Sequence, residues 1–353
     1  MCPGCPAEKR SISVKKIVTF GEIMLRLAPE GYYRFVQSRS FGATFGGGEA
    51  NVAVSLANFG MDAAFVTKLP KHDIGQAALN SLRQFGVDTS HIVRGGSRVG
   101  IYFLEKGASQ RASKVIYDRS HSAIADAAET DFNWNAILNG VDWFHFTGIT
   151  PALSDTAAAI TMNALKTARD KGITVSCDLN YRKNLWSKEK AGQVMGTLMP
   201  FVDLLIANEE DSADVFGIHA SNTDVTSGAI NHDGYKEVAD TLIKRFGFKE
   251  VAITLRESIS ANDNNWAAMY FCGNSYYFSK NYPVHIVDRV GGGDSFGAGL
   301  IYASLKGYTP QESIEFAVAA SCLKHSIEGD FNQVSVDEVH KLAGGDASGR
   351  VQR

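Results

Sequence analysis

Short strand patterns and longer amphipathic helix patterns alternate along most of this 353-residue chain. Strands are predicted at WFHFTGI, ITVSCDLN, FVDLLIAN and EVAITL, and helices at DTAAAITMNALKTARDKG and KEVADTLIKRFG. Repeated strand–helix units favour an α/β fold in which helices cover both faces of a mostly parallel sheet. Because such sheets bind ligands at the carboxyl ends of their strands, motifs that directly follow a strand are the best site candidates.

Residues 98–119 interrupt this alternation. Two β-rich runs, GIYFLE and KVIYDR, flank a polar turn and predict a hairpin that protrudes from the main fold. We expect this segment, near 96–120, and the stretch near 24–45 to form a lid. An exposed lid sheet often needs a partner to cover its apolar face, which predicts a homo-oligomer.

The composition, 44% hydrophobic and 21% charged, is that of a globular protein, and residues 15–345 are expected to form one domain. Residues 1–14 and 346–353 are predicted to be a flexible leader and tail. Cys2 and Cys5 form a C-x-x-C in that leader, which has either a metal or redox role or no role on a frayed end.

The charge balance and apolar pattern exclude several partners. A net charge of −3 argues against nucleic acid, and no apolar run is long enough to span a bilayer. The N-terminal residues lack the apolar region of a signal peptide, and five cysteines without framework spacing suggest reduced thiols. A cytoplasmic location is therefore expected.

The segment DRVGGGDSFGAGLIYA, residues 288–303, is the most informative motif. Gly291, Gly292 and Gly293 allow close backbone approach, and the helix that follows adds its partial positive charge, so the turn predicts an anion site. Asp294 beside that site suits a base that deprotonates a hydroxyl as it attacks phosphate. The alternative is a helix N-cap. The segment is not a P-loop, and no complete G-x-G-x-x-G follows the first strand.

Several motifs in order resemble the PfkB, or ribokinase-like, carbohydrate kinases. These are FGGGEANVAVSLANFG, KLPKHDIGQAALNSLRQFGVDTSHI with a departure at His72, DLNYR, ANEEDS and the glycine turn itself. Asp211 stands where glutamate is usual. The resemblance covers roughly residues 16–342 and implies a ribokinase-like three-layer sandwich with a protruding β lid. It further implies ATP and Mg²⁺ as cofactors, and Asp294 as the base.

Three stretches, in the lid, at TLRESISANDNNW and at KHSIEGDFN, resemble the branch of the family that phosphorylates 2-keto-3-deoxygluconate. That substrate carries a carboxylate, for which arginine is the best-suited side chain. We therefore expect transfer of the ATP γ-phosphoryl group to the primary hydroxyl of this sugar acid. The rivals are a neutral-sugar kinase such as a fructokinase, a non-catalytic sugar or nucleotide sensor, and a nicotinamide oxidoreductase, which would lack its glycine fingerprint.

The resemblance also implies a set of site residues. The substrate would contact Gly47, Glu49, Asn51, Tyr102, Tyr117, Arg119 and Arg182. The nucleotide would contact Asn180, Asn208, Thr254, Arg256 and Asn332. Glu210 and Asp211 would act on the metal through water, and a monovalent cation near Asp288 is a family property against which the neighbouring Arg289 argues.

Most of these residues have a plainer alternative. The two tyrosines could only pack the hairpin, and Arg119 could be a surface ion pair. Arg182 could contact the γ-phosphate instead of the acid. Glu49 could be a first-turn helix charge, and Asn332 could form a turn.

Overall fold

The computed structural model describes residues 15–219, 232–346 and 349; the predicted leader and most of the predicted tail lie outside them. The strands are β1 (Lys16–Phe20), β2 (Met24–Ala28), β3 (Gly42–Gly46), β4 (Asp62–Val66), β5 (Lys68–Leu69), β6 (Val93–Arg94), β7 (Gly100–Glu105), β8 (Lys114–Asp118), β9 (Trp143–Thr147), β10 (Thr174–Asp178), β11 (Leu204–Asn208), β12 (Glu250–Ser258), β13 (Asp263–Cys272), β14 (Ser275–Phe278) and β15 (Tyr282–His285). The helices are α1 (Gly48–Asn58), α2 (Asp73–Arg83), α3 (Trp134–Ile137), α4 (Ile149–Ala152), α5 (Asp155–Asp170), α6 (Lys188–Leu198), α7 (Glu209–Phe216), α8 (His232–Phe246), α9 (Gly292–Lys306), α10 (Pro310–His325) and α11 (Val336–Ala343).

The largest sheet has the strand order β14-β13-β12-β11-β10-β9-β1-β4, with β15 paired to the other half of β13. The strands from β12 to β4 are parallel, whereas β13, β14 and β15 extend the sheet in antiparallel pairs. Strands buried on both faces read as continuous apolar runs, as the sequence of β9 does.

Two apolar layers enclose this sheet. On β1, Val18 and Phe20 pack into the layer that contains side chains of α5, α6 and α8, whereas Ile17 packs into the opposite layer, with α1, α9 and α10. Side chains that alternate in this way make a three-layer α/β sandwich. The predicted fold class is confirmed.

A second sheet of four strands, in the order β3-β2-β7-β8, contains both predicted lid segments. β7 and β8 form the predicted antiparallel hairpin, and β2 and β7 are parallel neighbours. Every residue of β8 is exposed, so the hairpin edge projects from the body of the protein. Among the described residues, no helix combines the length and apolar character needed to cross a bilayer.

Candidate active site

A cavity of about 390 Å³ lies between the second sheet and the carboxyl ends of β10, β11 and β12. The start of α9 closes one side of it. Most of the predicted site residues line this cavity: Gly47, Asn51, Tyr102, Tyr117, Arg119, Asn180, Arg182, Asn208, Asp211, Thr254, Arg256, Gly291, Gly293 and Asp294. Residues that are distant in the sequence therefore meet where parallel sheets bind their ligands.

Asp294 lies in the first turn of α9 and faces the cavity. Its Oδ2 accepts a hydrogen bond of 2.7 Å from Asn51 Nδ2, while Asn51 Oδ1 accepts one of 3.2 Å from the backbone N–H of Gly47. Burial raises the pKa of Asp294 to about 6, and the bond from Asn51 opposes that rise. A carboxylate with a pKa this close to neutrality is suited to general base catalysis.

The glycine turn places backbone N–H groups beside Asp294. Gly291 has φ 85°, a left-handed conformation, and a Cβ there would lie 2.0 Å from the carbonyl oxygen of Asp330. Gly293 is exposed, lines the cavity and has no atom within 4 Å of the position of a Cβ. Because the first N–H groups of a helix lack intrahelical partners, those near Gly293 are available to an anion.

Gly292, predicted to be part of the anion site, does not line the cavity. It is buried, and a Cβ there would meet the His325 ring at 2.5 Å. The glycine at this position is needed for packing between α9 and α10. The part of the turn open to a ligand is therefore Gly293, with Gly291 as its bend.

Three carboxylates and one arginine line the cavity near the glycine turn. Asp178, Asp211 and Asp294 all line the cavity, as does Arg182. Burial, Asp211 and Asp294 raise the pKa of Asp178 well above its usual range, and Arg182 opposes this. Burial also raises the pKa of Asp211 to about 6. This local excess of negative charge fits a bound cation.

Arg119 lines the cavity but is already paired. Its Nε donates a 2.8 Å hydrogen bond to Oε2 of Glu22, and Nη2 donates to the same oxygen. Arg119 is 7% exposed and Glu22 3%, and the guanidinium also lies over the Tyr117 ring. This pair is buried, so the alternative of a surface ion pair is wrong, and the charge offered to an acid is partly neutralised.

Tyr102 lines the cavity, but its hydroxyl group is already hydrogen-bonded to Asp330. The hydroxyl donates to Asp330 at 2.6–2.7 Å, and Arg26 Nη1 donates to the same carboxylate at 2.8 Å. Arg26 also pairs with Asp288 through Nη2. Burial raises the pKa of Tyr102 well above its usual range. These contacts fasten the second sheet to the loop that follows α10.

Glu49 does not line the cavity. Its Oε1 accepts hydrogen bonds from Thr147 N at 3.0 Å, Thr147 Oγ1 at 2.8 Å and Thr150 Oγ1 at 2.6 Å. Burial nevertheless raises the pKa of Glu49 to about 7. The prediction of a sugar contact is therefore corrected: Glu49 joins α1 to the end of β9.

Asn332 and Glu210 also lie away from the cavity lining. Asn332 is buried, and its Nδ2 donates to Ser295 Oγ at 2.5 Å, so it supports α9 rather than closing an adenine pocket. Glu210 is exposed on α7. Of the two predicted metal-associated residues, the structure brings only Asp211 to the cavity.

The other predicted nucleotide residues line the cavity on the side of β10–β12. Asn208 caps α7, accepting from Asp211 N at 2.7 Å. Thr254 and Arg256 lie near the end of β12. Asn180 has φ 40°. A Cβ added to Gly48 would lie 3.9 Å from Asn180 Nδ2 and 3.5 Å from Asp294 Oδ1, so both side chains lie near the same glycine. Asn180 thus lies at the end of the cavity that holds the base.

Sequence reasoning missed several lining residues, among them Asp178, Asp330 and Gly48. Two of them had a visible signal: Asp178 ends a strand within DLNYR, and Gly48 lies within the glycine-rich segment before α1. Asp330 lies within KHSIEGDFN, but its place in the site depends on the long-range contact with Arg26 and Tyr102, which no local pattern specifies.

Comparison with known proteins agrees with this geometry. A family model described as pfkB family carbohydrate kinase matches residues 14–333. A 2-dehydro-3-deoxygalactonokinase from Haloferax volcanii is 32% identical over 94% of this chain and 98% of its own, and a 2-dehydro-3-deoxygluconokinase from Bacillus subtilis is 27% identical over 92% and 94%. The crystal structure of a 2-dehydro-3-deoxygluconokinase from Thermotoga maritima has a TM-score of 0.91 at 55% identity, covering 94% of this chain and 100% of that one.

A likeness of this extent places the chain in the ribokinase-like class of α/β folds. The family match runs from before β1 to beyond Asp330 and so includes both sheets and the glycine turn. This chain belongs to the pfkB family of carbohydrate kinases.

Proposed function

We propose that this protein transfers the γ-phosphoryl group of ATP to the primary hydroxyl of 2-keto-3-deoxygluconate. The observation that carries the proposal is the oriented carboxylate of Asp294 at the start of α9, beside Gly293 and facing a cavity lined by Arg182. The relatives from Thermotoga maritima and Bacillus subtilis, named 2-dehydro-3-deoxygluconokinases, support the substrate.

Each group has a defined task in this reaction. Asp294 Oδ accepts the proton of the primary hydroxyl as its oxygen attacks the γ-phosphorus, and the bond from that phosphorus to the β,γ-bridging oxygen breaks to release ADP. Asn51 holds the carboxylate of Asp294 in place. The N–H groups at Gly293 stabilise the negative charge that develops on the transferred group. Lys324 and Arg182 lower the pKa of Asp294, so they favour its ionised form.

Mg²⁺ is proposed as the metal. Asp178 and Asp211 fit it, because their crowded carboxylates line the cavity, and oxygen ligands are those that Mg²⁺ prefers. Among the described residues, no cluster of three or more histidine, cysteine or acidic side chains forms a metal cage. Bound there, the ion would neutralise charge on the nucleotide phosphates, which would supply most of its remaining ligands with water.

The acid end of the substrate is assigned mainly to Arg182. Arg119 is already bound to Glu22, so it retains less charge for a second carboxylate. Arg182 is partly exposed to the cavity, and its Nη1 donates only to the Tyr181 carbonyl oxygen at 3.0 Å among the hydrogen bonds of the described residues. The alternative, a γ-phosphate contact for Arg182, leaves the reaction class unchanged.

We also propose a cytoplasmic homo-oligomer. Val115 and Ile116 on β8 are 38% and 45% exposed, an apolar edge that a second copy would cover. Cys177, Cys272 and Cys322 are free thiols, which suits a reducing compartment.

The test is an assay of ADP release with ATP and a panel of acceptors. The panel contains 2-keto-3-deoxygluconate, its galacto epimer, gluconate, fructose and ribose, with Asp294→Asn as the matched inactive control. We expect the two keto-deoxy acids to be preferred, and ³¹P NMR to show a phosphate ester of the primary hydroxyl. A preference for fructose or ribose would refute the acid substrate, and turnover equal in parent and control would refute the assignment of Asp294.

A further inference from the structure

One buried ammonium group lowers the pKa of the proposed base without lining the cavity. Lys324, near the C-terminal end of α10, is 0% exposed. Its Nζ donates to two backbone carbonyl oxygens, that of Ile327 at 3.1 Å and that of Asp288 at 3.4 Å. Burial lowers the pKa of Lys324, and the nearby carboxylates of Asp288 and Asp330 oppose that change.

The neighbouring carboxylates act on Lys324 through space rather than by direct ion pairs. Asp288 and Asp330 are buried close by, but both are bonded to Arg26, through Nη2 and Nη1 respectively. Within the described residues, Lys324 has no carboxylate oxygen within 4.0 Å of its Nζ. The ammonium group is therefore held by carbonyl oxygens, as a small inorganic cation would be.

The position of Lys324 relates it to the glycine turn. A Cβ on Gly291 would lie 3.1 Å from Lys324 Cε, so the side chain packs against the bend of the turn. The carbonyl group of Asp288 that binds Nζ belongs to the residue that opens the same loop. The charge of Lys324 also lowers the pKa of Asp294, although the two side chains are on different helices.

We propose that Lys324 is a built-in monovalent cation that supports the anion-binding turn from behind. Its ammonium group strengthens the electrostatic stabilisation at Gly293 and holds the turn through the Asp288 carbonyl group. The role is one of positioning, since Lys324 does not line the cavity. The proposal rests on the kinase function and predicts that this enzyme needs no added K⁺, in line with the argument from Arg289 against a monovalent ion near Asp288.

The first experiment uses the unmodified protein. Phosphoryl transfer is measured with saturating ATP and sugar acid in tetramethylammonium buffer, and KCl is then added up to physiological ionic strength. We expect kcat to change by less than about two-fold after correction with NaCl. Stimulation by K⁺ over Na⁺ of five-fold or more would overturn the proposal. A protein that transfers phosphate to no acceptor would instead refute the proposed function.

The second experiment removes the charge. Lys324→Met keeps the stem, and we expect kcat to fall roughly ten- to a hundred-fold with little change in the KM for ATP. Lys341→Met, on the exposed face of α11, is the matched control. Lys324→Ala tests rescue, because K⁺ or propylammonium can occupy the vacated space and a purely structural role would give no recovery of kcat. Full activity of a folded Lys324→Met, or absence of any rescue in a folded Lys324→Ala, would overturn the proposal; if neither variant folds, the K⁺ titration of the parent decides.

Discussion

Asn51 on α1 donates a 2.7 Å hydrogen bond to Asp294 on α9, so the orientation of the proposed base depends on a residue 243 positions earlier in the chain. The side-chain oxygen of Asn51 accepts a hydrogen bond from the N–H group of Gly47. The amide nitrogen of Asn51 is therefore the atom that faces the carboxylate. The packing of α1 against α9 thereby positions the proposed base.

Loss of this contact should affect the chemical step more than binding. We predict that Asn51→Ala lowers kcat roughly ten-fold, because a hydrogen bond to a charged group contributes about 1.5–3 kcal/mol. Asn58→Ala is the matched control, since Asn58 lies on the same helix but donates to the Asn332 carbonyl group. Measurement of kcat and KM for both variants checks this, and equal effects would show that the amide only stabilises α1.

The rate should depend on the ionisation of Asp294. Its pKa of about 6 means that roughly nine-tenths of the carboxylate is ionised at pH 7 and about one-tenth at pH 5, so kcat should rise with pH through 6 and then level off. Asn51 lowers this pKa, so Asn51→Ala should move the inflection to higher pH. Because Asp211 also has a pKa of about 6, an inflection that does not move in Asn51→Ala would belong to Asp211 or another group.

Two glycines of the turn should respond differently to substitution. Gly293→Ala places a methyl group in open space at the cavity, so we predict a normal melting temperature but roughly ten-fold lower kcat/KM for ATP. Gly292→Val drives a side chain into the His325 ring, so we predict a loss of about 1–3 kcal/mol of stability. Thermal melts and steady-state kinetics separate the two effects. Full activity in Gly293→Ala would show that the glycine turn does not bind the phosphate.

The sequence allowed the fold and the position of the proposed base to be predicted because both depend on local patterns. Strand–helix alternation predicted the parallel sheet, and DRVGGGDSF placed a carboxylate after a glycine turn at a helix start. The commitments of individual side chains could not be predicted in the same way. Whether Glu49 faces a sugar or binds Thr147 and Thr150 depends on atoms about 100 residues away, which no local pattern specifies.

The local sequence also does not show which groups neutralise a charged side chain. Arg119 and Lys324 are cations in the sequence, but their effect depends on which groups neutralise them. Glu22 binds Arg119, whereas Lys324 is held by carbonyl groups. No motif in the sequence marked Glu22 as a partner of Arg119. Arg119, which was expected to bind the substrate carboxylate, is therefore already paired with a carboxylate of the protein.

This difference gives a test of substrate class. If Arg182 holds the acid, Arg182→Ala should lower kcat/KM on 2-keto-3-deoxygluconate ten- to a hundred-fold, the equivalent of about 1.5–3 kcal/mol, and change weak activity on fructose only a few-fold. Equal losses on both compounds would assign Arg182 to the γ-phosphate. Lys183→Ala, which removes the exposed cation next to Arg182, is the control for a general change of charge in this loop.

The role of Arg119 has to be tested with a double substitution, because removing Arg119 alone leaves the carboxylate of Glu22 buried without its cation. Such a loss costs about 3–5 kcal/mol and would lower activity through stability. We therefore predict that Arg119→Ala melts well below the parent, whereas Arg119→Ala combined with Glu22→Ala recovers most of the melting temperature. If Arg119 only supports the lid, the double variant also recovers kcat/KM on the acid. The other outcome is that the double variant regains its melting temperature but loses at least ten-fold more kcat/KM on the acid than on fructose, each compared with the parent. Arg119 would then bind the substrate carboxylate in spite of its pairing with Glu22.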